Sequence, residues 1–288
     1  MSKKIHSTAV LAAGAELGED VEIGPYAVLG AKVRIGDRTR IGPQVVIEGV
    51  TTIGADNQIF GQASLGGAPQ DLSYRGEPTQ LVIGERNTIR EFVTINRGTV
   101  KGGGITRVGS DCLLMACSHV AHDCELEDRV ILGNNVLLAG HVRVEERANV
   151  SGAAAAHHFV TIGALAYVGG LTRVVQDVPP FVILEGHPSR VRGINKIGLQ
   201  RAGISAEDVE ELERAYRDLY RSGDPRRRVL ERLQERAAAV PRLQQLVHAL
   251  QCTERGAKGR YRESLREQFG REGRRRILGE ESEAGAGV

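Results

Sequence analysis

Residues 114–144 read LMACSHVAHDCELEDRVILGNNVLLAGHVRV, and an aliphatic residue returns in them at every sixth place: Leu114, Val120, Leu126, Leu132, Leu138 and Val144. The same step runs outward in both directions. Upstream it begins at Ile5 and passes through Leu11, Leu17, Ile23, Leu29, Ile35, Ile41, Ile47, Ile53 and Ile59 to Leu65. Gly follows the aliphatic residue at 18, 24, 30, 36, 42, 54 and 66. The step resumes at Ile83, Ile89 and Ile95, shifts register by one, and then runs from Val108 to Val174 with Ala156 as its only weak member.

A period of six is neither the 3.6 of a helix nor the 2 of an alternating strand. Each unit therefore reads as a short strand and a turn, with one aliphatic residue pointing inward. Gly, Asn or Asp is expected to take the positive-φ turn position. Three units close one triangular coil that packs only on its neighbours, and about 26 units give roughly nine coils. The expected fold is all-β, a left-handed parallel β-helix over residues 1–188, an exception to the usual right-handed crossover. Two excursions leave it. One covers about 66–82, GGAPQDLSYRGEPTQLV, and the other about 97–107, RGTVKGGGITR. Loops that leave a regular solenoid tend to carry function or assembly contacts.

After Val174 the run Gln176-Asp177-Val178-Pro179-Pro180 stops strand formation, because Pro cannot donate to a ladder. An α-helical C-terminal domain is expected over 189–269. Ser205 to Asp208 reads as a helix cap ahead of Val209, Leu212, Tyr216 and Leu219. Pro225 and Pro241 read as helix starts. The segment 270–288, GREGRRRILGEESEAGAGV, is polar and Gly-rich and is expected to be disordered.

The bulk composition is that of a globular protein, 41% hydrophobic and 26% charged, with 36 Gly but only 4% aromatic residues. That balance suits a narrow aliphatic core. No nucleic-acid partner is expected; the net charge of +2 says little, but arginine concentrates late, as in Arg226–Arg228 and Arg274–Arg276. Such runs suit phosphate or an acidic protein, or are simply solvated helix faces. The four cysteines form no secretory framework. No long apolar run predicts a membrane span and no leader is evident, so a cytoplasmic protein is expected.

The chemistry-bearing residues fall in the quoted stretch. His122 lies beside Asp123, and a His oriented by a carboxylate can take a proton from a hydroxyl near neutral pH. His119, His141 and His157 fall on nearby coils. No serine-nucleophile motif occurs, so direct attack by a substrate hydroxyl with His122 as base is the natural chemistry. A covalent thiol at Cys117 or Cys124 is an alternative. A zinc cluster through Cys117, His119, His122 and Cys124 is another, as in zinc hydrases of the gamma-carbonic-anhydrase type; alternate positions along a strand do not converge, which disfavours it. Gly140 is either a backbone donor for a developing oxyanion or an ordinary turn glycine.

Several segments together resemble the acyl-[acyl-carrier-protein]–UDP-N-acetylglucosamine O-acyltransferase family, which takes the first step of lipid A biosynthesis. They are QDLxYxGEPT from Gln70, the block from Ile83 to Gly109, HVAHDC from His119, LAGHV from Leu138 and QDVPPF from Gln176. The resemblance implies a homotrimer with sites between subunits and two substrates, a 3-hydroxyacyl carrier protein and UDP-N-acetylglucosamine. It implies no metal and no cofactor. His122 would be the general base, Asp123 its support and the Gly140 N–H the oxyanion donor. His119, His141 and His157 would line the site, and Asp71 would contact the sugar. Asn195 and Arg201 match nucleotide-binding positions, and Gly170 matches a position that limits acyl length; a glycine there leaves the groove open. Basic C-terminal helices would suit an acidic carrier protein. Ser73, where a Lys usually follows QDL, departs from the pattern, as do Ile197, Ala202 and His158. These departures leave open an acceptor with a 3-amino sugar, and hence N-acyl transfer.

Overall fold

The computed structural model describes residues 4–238 and 240–279. From Lys4 to Val174 the chain winds as a parallel β-helix of three sheets with nine, nine and eight strands, and two later strands extend the first sheet to eleven. The strands are mostly two residues long, and each pairs in parallel with the strand one coil away, as in Glu125↔Arg143 and Leu126↔Val144. The first face carries Ile23, Ile41 and Ile59. The second carries Leu29, Ile47, Leu65, Ile95, Val120 and Leu138. The third carries Ile35, Ile53, Ile83, Val108 and Leu126.

The six-step residues form the core. Ile47, Leu65, Ile89, Ile95, Leu114, Val120, Leu132 and Leu138 are completely buried. Each such side chain contributes about 1.5–3 kcal/mol by leaving water. Val21, Ala27, Val45, Val93, Val130 and Val136 fill the corners between them. Phe181 closes the column at its C-terminal end.

The turns differ from the expectation. The positive-φ positions are held mostly by residues with full side chains: Tyr26, Arg38, Phe92, Ala153 and Leu165 have φ between +56° and +60°. A left-handed residue with a Cβ costs about 1–2 kcal/mol, and the ladders and core offset it once per turn. The hexad glycines serve another purpose. A Cβ on Gly36 would lie 2.5 Å from the Gly54 carbonyl carbon one coil away. Glycine is required there by close approach of stacked backbones rather than by φ.

Strands Val182–Glu185 and Arg190–Ile194 pair antiparallel and end the stack. The sheet therefore extends past residue 188 to Ile194. Five α-helices follow among the described residues: α1 (Lys196–Arg201), α2 (Ala206–Tyr220), α3 (Arg226–Ala237), α4 (Pro241–Arg255) and α5 (Arg266–Leu278). The Ser205 hydroxyl accepts the Asp208 N–H and caps α2. Pro225 caps α3, and Pro241 opens α4. Leu212, Ala215, Val229, Leu233, Leu243 and Leu246 form their shared core.

The expected disordered tail is corrected at its start. Residues 270–278 belong to α5, which buries Phe269, Gly270 and Gly273 instead of a large aliphatic stripe. Residues 280–288 of that segment lie outside the described residues. Among the described residues no helix is long and apolar enough to cross a membrane.

Candidate active site

The coil repeat of eighteen residues stacks His122, Gly140 and His158 in one column at the edge between the second and third faces. The next column is Asp123, His141 and Phe159, with φ of +60°, +65° and +65°. Two backbone bonds lock the stack, His141 N–H to His122 O at 3.0 Å and Phe159 N–H to Gly140 O at 3.2 Å. Gly140 thus leaves a notch between two histidines, and the His122 ring fills it. A Cβ on Gly140 would lie 2.5 Å from His122 Cε1 and 2.7 Å from Nε2. No described acceptor takes the Gly140 N–H.

Asp123 is almost wholly buried and accepts three hydrogen bonds. Its Oδ2 accepts from His122 Nδ1 at 2.7 Å and from Thr99 Oγ1 at 2.6 Å. Its Oδ1 accepts the Thr99 N–H at 2.7 Å, and its own N–H donates to Thr106 Oγ1 at 2.8 Å. A carboxylate can only accept, so Nδ1 of His122 carries the proton and Nε2 is left as the basic nitrogen. The second excursion folds over this pair. A Cβ on Gly102 would lie 2.0 Å from Asp123 Cγ. Thr99, Gly102 and Thr106 were not singled out for this role from the sequence; the Gly102-Gly103-Gly104 run was the visible signal of a close approach.

His141 stands edge-on to His122, with ring centroids 5.1 Å apart, and stacks flat on Phe159 at 4.2 Å. Burial, then the neighbouring charges of His122 and Arg262, pushes its pKa down to about 3. It is a neutral imidazole at neutral pH. Burial likewise holds His119 below its usual range, where its Nδ1 lies 2.7 Å from Thr94 Oγ1. His158 is held low for the same first reason.

A cavity of about 930 Å³ opens beside His122. Asp71, His122, His141 and His157 open into it, as do His158, Phe159 and Lys101. Asp71 Oδ1 accepts from the Ser73 N–H and hydroxyl, both at 2.8 Å, and these bonds hold its carboxyl below the usual range. The Lys101 ammonium lies 2.6 Å from Ser73 Oγ. The second excursion thus brings a cation to the place where the sequence departs from its resemblance.

The structure does not gather every expected residue here. His119 lies one strand away from the cavity, on the outer surface of the second face. Gly170 sits at the edge between the first and second faces, where a Cβ would meet Gly152 O at 3.2 Å. Asn195 caps α1, accepting from the Gly198 N–H and donating to Leu165 O. Arg201 ends that helix, and neither residue lines the cavity.

The cysteine readings fail on geometry. Cys124 is buried with its thiol pushed up to about 12, first by burial, and Cys117 is exposed on the outside. The two cannot converge with His119 and His122 on one ion. Among the described residues, the donor atoms that do lie together, within 4.8 Å, belong to His122, Asp123 and His141. In that group Asp123 already accepts three hydrogen bonds from Thr99 and His122.

Residues 177–257 match the family model described as UDP N-acetylglucosamine O-acyltransferase, domain 2. Residues 14–49 and 105–140 match the bacterial transferase hexapeptide repeat, whose coil is the left-handed parallel β-helix. The acyl-[acyl-carrier-protein]–UDP-N-acetylglucosamine O-acyltransferase of Paraburkholderia phymatum is 55% identical over 82% of this chain and 90% of its own. That of Thiobacillus denitrificans is 52% identical over 88% of this chain and 98% of its own. The solved UDP-N-acetylglucosamine acyltransferase of Francisella novicida superposes with a TM-score of 0.83 at 36% identity, over 85% of this chain and 90% of that one. That of Campylobacter jejuni gives 0.81 at 38%, over 86% and 96%. The chain belongs to the acyl-[acyl-carrier-protein]–UDP-N-acetylglucosamine O-acyltransferase family.

Proposed function

We propose that this protein transfers a 3-hydroxyacyl group from acyl carrier protein to the 3-hydroxyl of UDP-N-acetylglucosamine, in lipid A biosynthesis, without a covalent acyl-enzyme. The observation that carries this reading is the His122–Asp123 pair, bonded at 2.7 Å and opening into the cavity beside Gly140. His122 Nε2 takes the proton of the sugar hydroxyl as its oxygen attacks the thioester carbonyl. The Gly140 N–H receives the oxyanion, a contact of the kind that removes about 3 kcal/mol of barrier. The C–S bond then breaks, and the imidazolium returns the proton to the leaving thiolate. The products are the 3-O-acyl sugar nucleotide and the free thiol of the carrier. No cofactor enters this balance.

Two further features support sites shared between copies of the chain in a homotrimer. Asn195 and Arg201 stand apart from His122 within one chain. Apolar side chains also face outward along the second face, with Val10 at 59%, Val28 at 40%, Val46 at 36% and Leu137 at 52% exposure. Val10, Val28 and Val46 pair directly across adjacent strands and form a row. A cytoplasmic location fits substrates made there.

The test is transfer from 3-hydroxyacyl carrier proteins of several chain lengths to UDP-N-acetylglucosamine, with its 3-amino analogue as competitor. Ester formation by the wild type, and its loss by at least about 10³-fold in His122→Ala, is expected. Transfer to the amine alone would overturn the proposed acceptor, and undiminished transfer by His122→Ala would overturn the base. The preferred length reads the openness at Gly170.

A further inference from the structure

After α4 the chain leaves the helical domain and returns to the coil. The family model ends at residue 257, and the returning arm from Arg260 onward lies beyond it. The Arg260 guanidinium donates to Val175 O at 2.9 Å, and the Tyr261 N–H donates to Asp177 Oδ2 at 2.8 Å. Arg262, buried, donates through Nε to the His141 carbonyl at 3.1 Å and pairs with Glu125 at 3.0 and 3.2 Å. Burial works against the Glu125 charge, yet Arg262 holds that carboxyl below its usual range. Arg266 lies 4.4 Å over the Phe159 ring. The far end of α5 is fixed as well. Gly273 packs so closely on the second excursion that a Cβ would lie 2.1 Å from Val100 O, and Arg276 donates to Gly103 O.

Between these anchors one stripe of α5 faces the cavity: Glu267, Gly270, Arg271 and Arg274. Their spacing of i, i+3, i+4 and i+7 is one helical face. With Arg266 and, across the cavity, Lys101, the walls carry four cations against the carboxylates of Asp71 and Glu267. Arg266 pairs with Glu263, and Asp71 is occupied by Ser73. Among the described residues Arg271 and Arg274 have no carboxylate partner, and both are exposed to the cavity. Two unpaired guanidiniums, held on a helix clamped at both ends, form a preorganised wall for a planar, multi-oxygen anion.

We propose that α5 supplies a phosphate-binding wall, in which Arg271 and Arg274 grip the phosphate of a substrate whose reacting end lies at His122. The proposal rests on the transferase reading for the presence of such a substrate. That chemistry has two sources, the diphosphate of the sugar nucleotide and the phosphodiester in the arm that carries the acyl thioester. Both fit the shared description, and the experiment separates them.

The experiment is equilibrium binding by calorimetry to the full-length protein, with UDP-N-acetylglucosamine and with a 3-hydroxyacyl phosphopantetheine as the two probes. Neither titration requires turnover, so failure of the transfer assay does not decide it. The proteins are wild type, Arg271→Ala/Arg274→Ala and Arg271→Lys/Arg274→Lys. Loss of charge-assisted contacts is expected to weaken one probe by about tenfold or more. The lysine pair should recover part of that loss, and the salt dependence of that probe's affinity should fall in the alanine pair. The probe that weakens names the source. Affinities within about twofold of wild type for both probes, or no binding of either by the wild type, overturn the proposal. Arg271 and Arg274 bond to no described group, so the melting temperature of the alanine pair should match wild type and exclude a folding effect.

Discussion

At the level of single residues, the site depends on what a side chain would displace. Gly140 is where the coil column must be empty, because His122 Cε1 lies 2.5 Å from the place a Cβ would take. Gly140→Ala must therefore turn the imidazole away from its bond to Asp123 or push the coil apart. A displacement of an ångström in a reacting group is worth about 100-fold. Loss of kcat by that factor or more is expected together with a lowered melting temperature, and steady-state kinetics well below that temperature, with a melting curve, checks both. His141 gives a pH signature. Its folded pKa is pushed down to about 3 from an ordinary 6.5, first by burial. Below 6.5 the unfolded chain takes a proton that the folded chain refuses, so stability is full above that pH and falls as the pH drops toward 3. The slope from this one residue is at most about 1.4 kcal/mol per pH unit. Denaturant unfolding of wild type and His141→Gln between pH 4 and 7 should show the wild type losing more stability on acidification. Parallel curves would mean that His141 is protonated in the folded state.

At the level of elements, legibility followed periodicity. The six-step aliphatics had no strong competitor as an explanation, and the buried column from Ile23 to Val174 matches them residue for residue. The two excursions were visible as breaks in that step, and HVAHDC was visible as titratable groups on it. The residues that hold Asp123 were harder to read. Thr99 and Thr106 sit 24 and 17 residues before it, and only the 3-10 turn Val100–Gly102 brings Thr99 over its carboxylate. The purpose of the hexad glycines was misread for a related reason. A sequence shows a small residue after each aliphatic, and only stacking shows that the next coil's backbone touches it. Helix α5 was least legible of all. It packs through Gly270, Gly273, one Phe and guanidiniums laid over rings at 4.4 and 4.9 Å. None of these gives the large aliphatic stripe that marks an amphipathic helix, so composition pointed to a solvated tail.

At the level of the whole molecule, the residues proposed for acid–base chemistry and those proposed for the nucleotide lie apart within one chain. His122, Asp123 and Gly140 meet at one edge of the coil, whereas Arg201 sits at the end of α1 and does not reach the cavity. If the nucleotide is held by Arg201 of a neighbouring copy, each active site draws on two chains, as a cyclic assembly with heterologous contacts allows. Two crippled proteins should then repair each other. His122→Ala keeps Arg201, and Arg201→Ala keeps His122. Dissociated and reassembled together at equal concentration, they should place an intact His122 opposite an intact Arg201 in about a quarter of the sites, restoring about that fraction of wild-type activity. Each variant reassembled alone should stay inactive, and light scattering should give three copies throughout. A mixture no more active than its parts would place both residues on one chain's site. The outward valine row would then need another explanation, since Val10, Val28 and Val46 gain nothing from water.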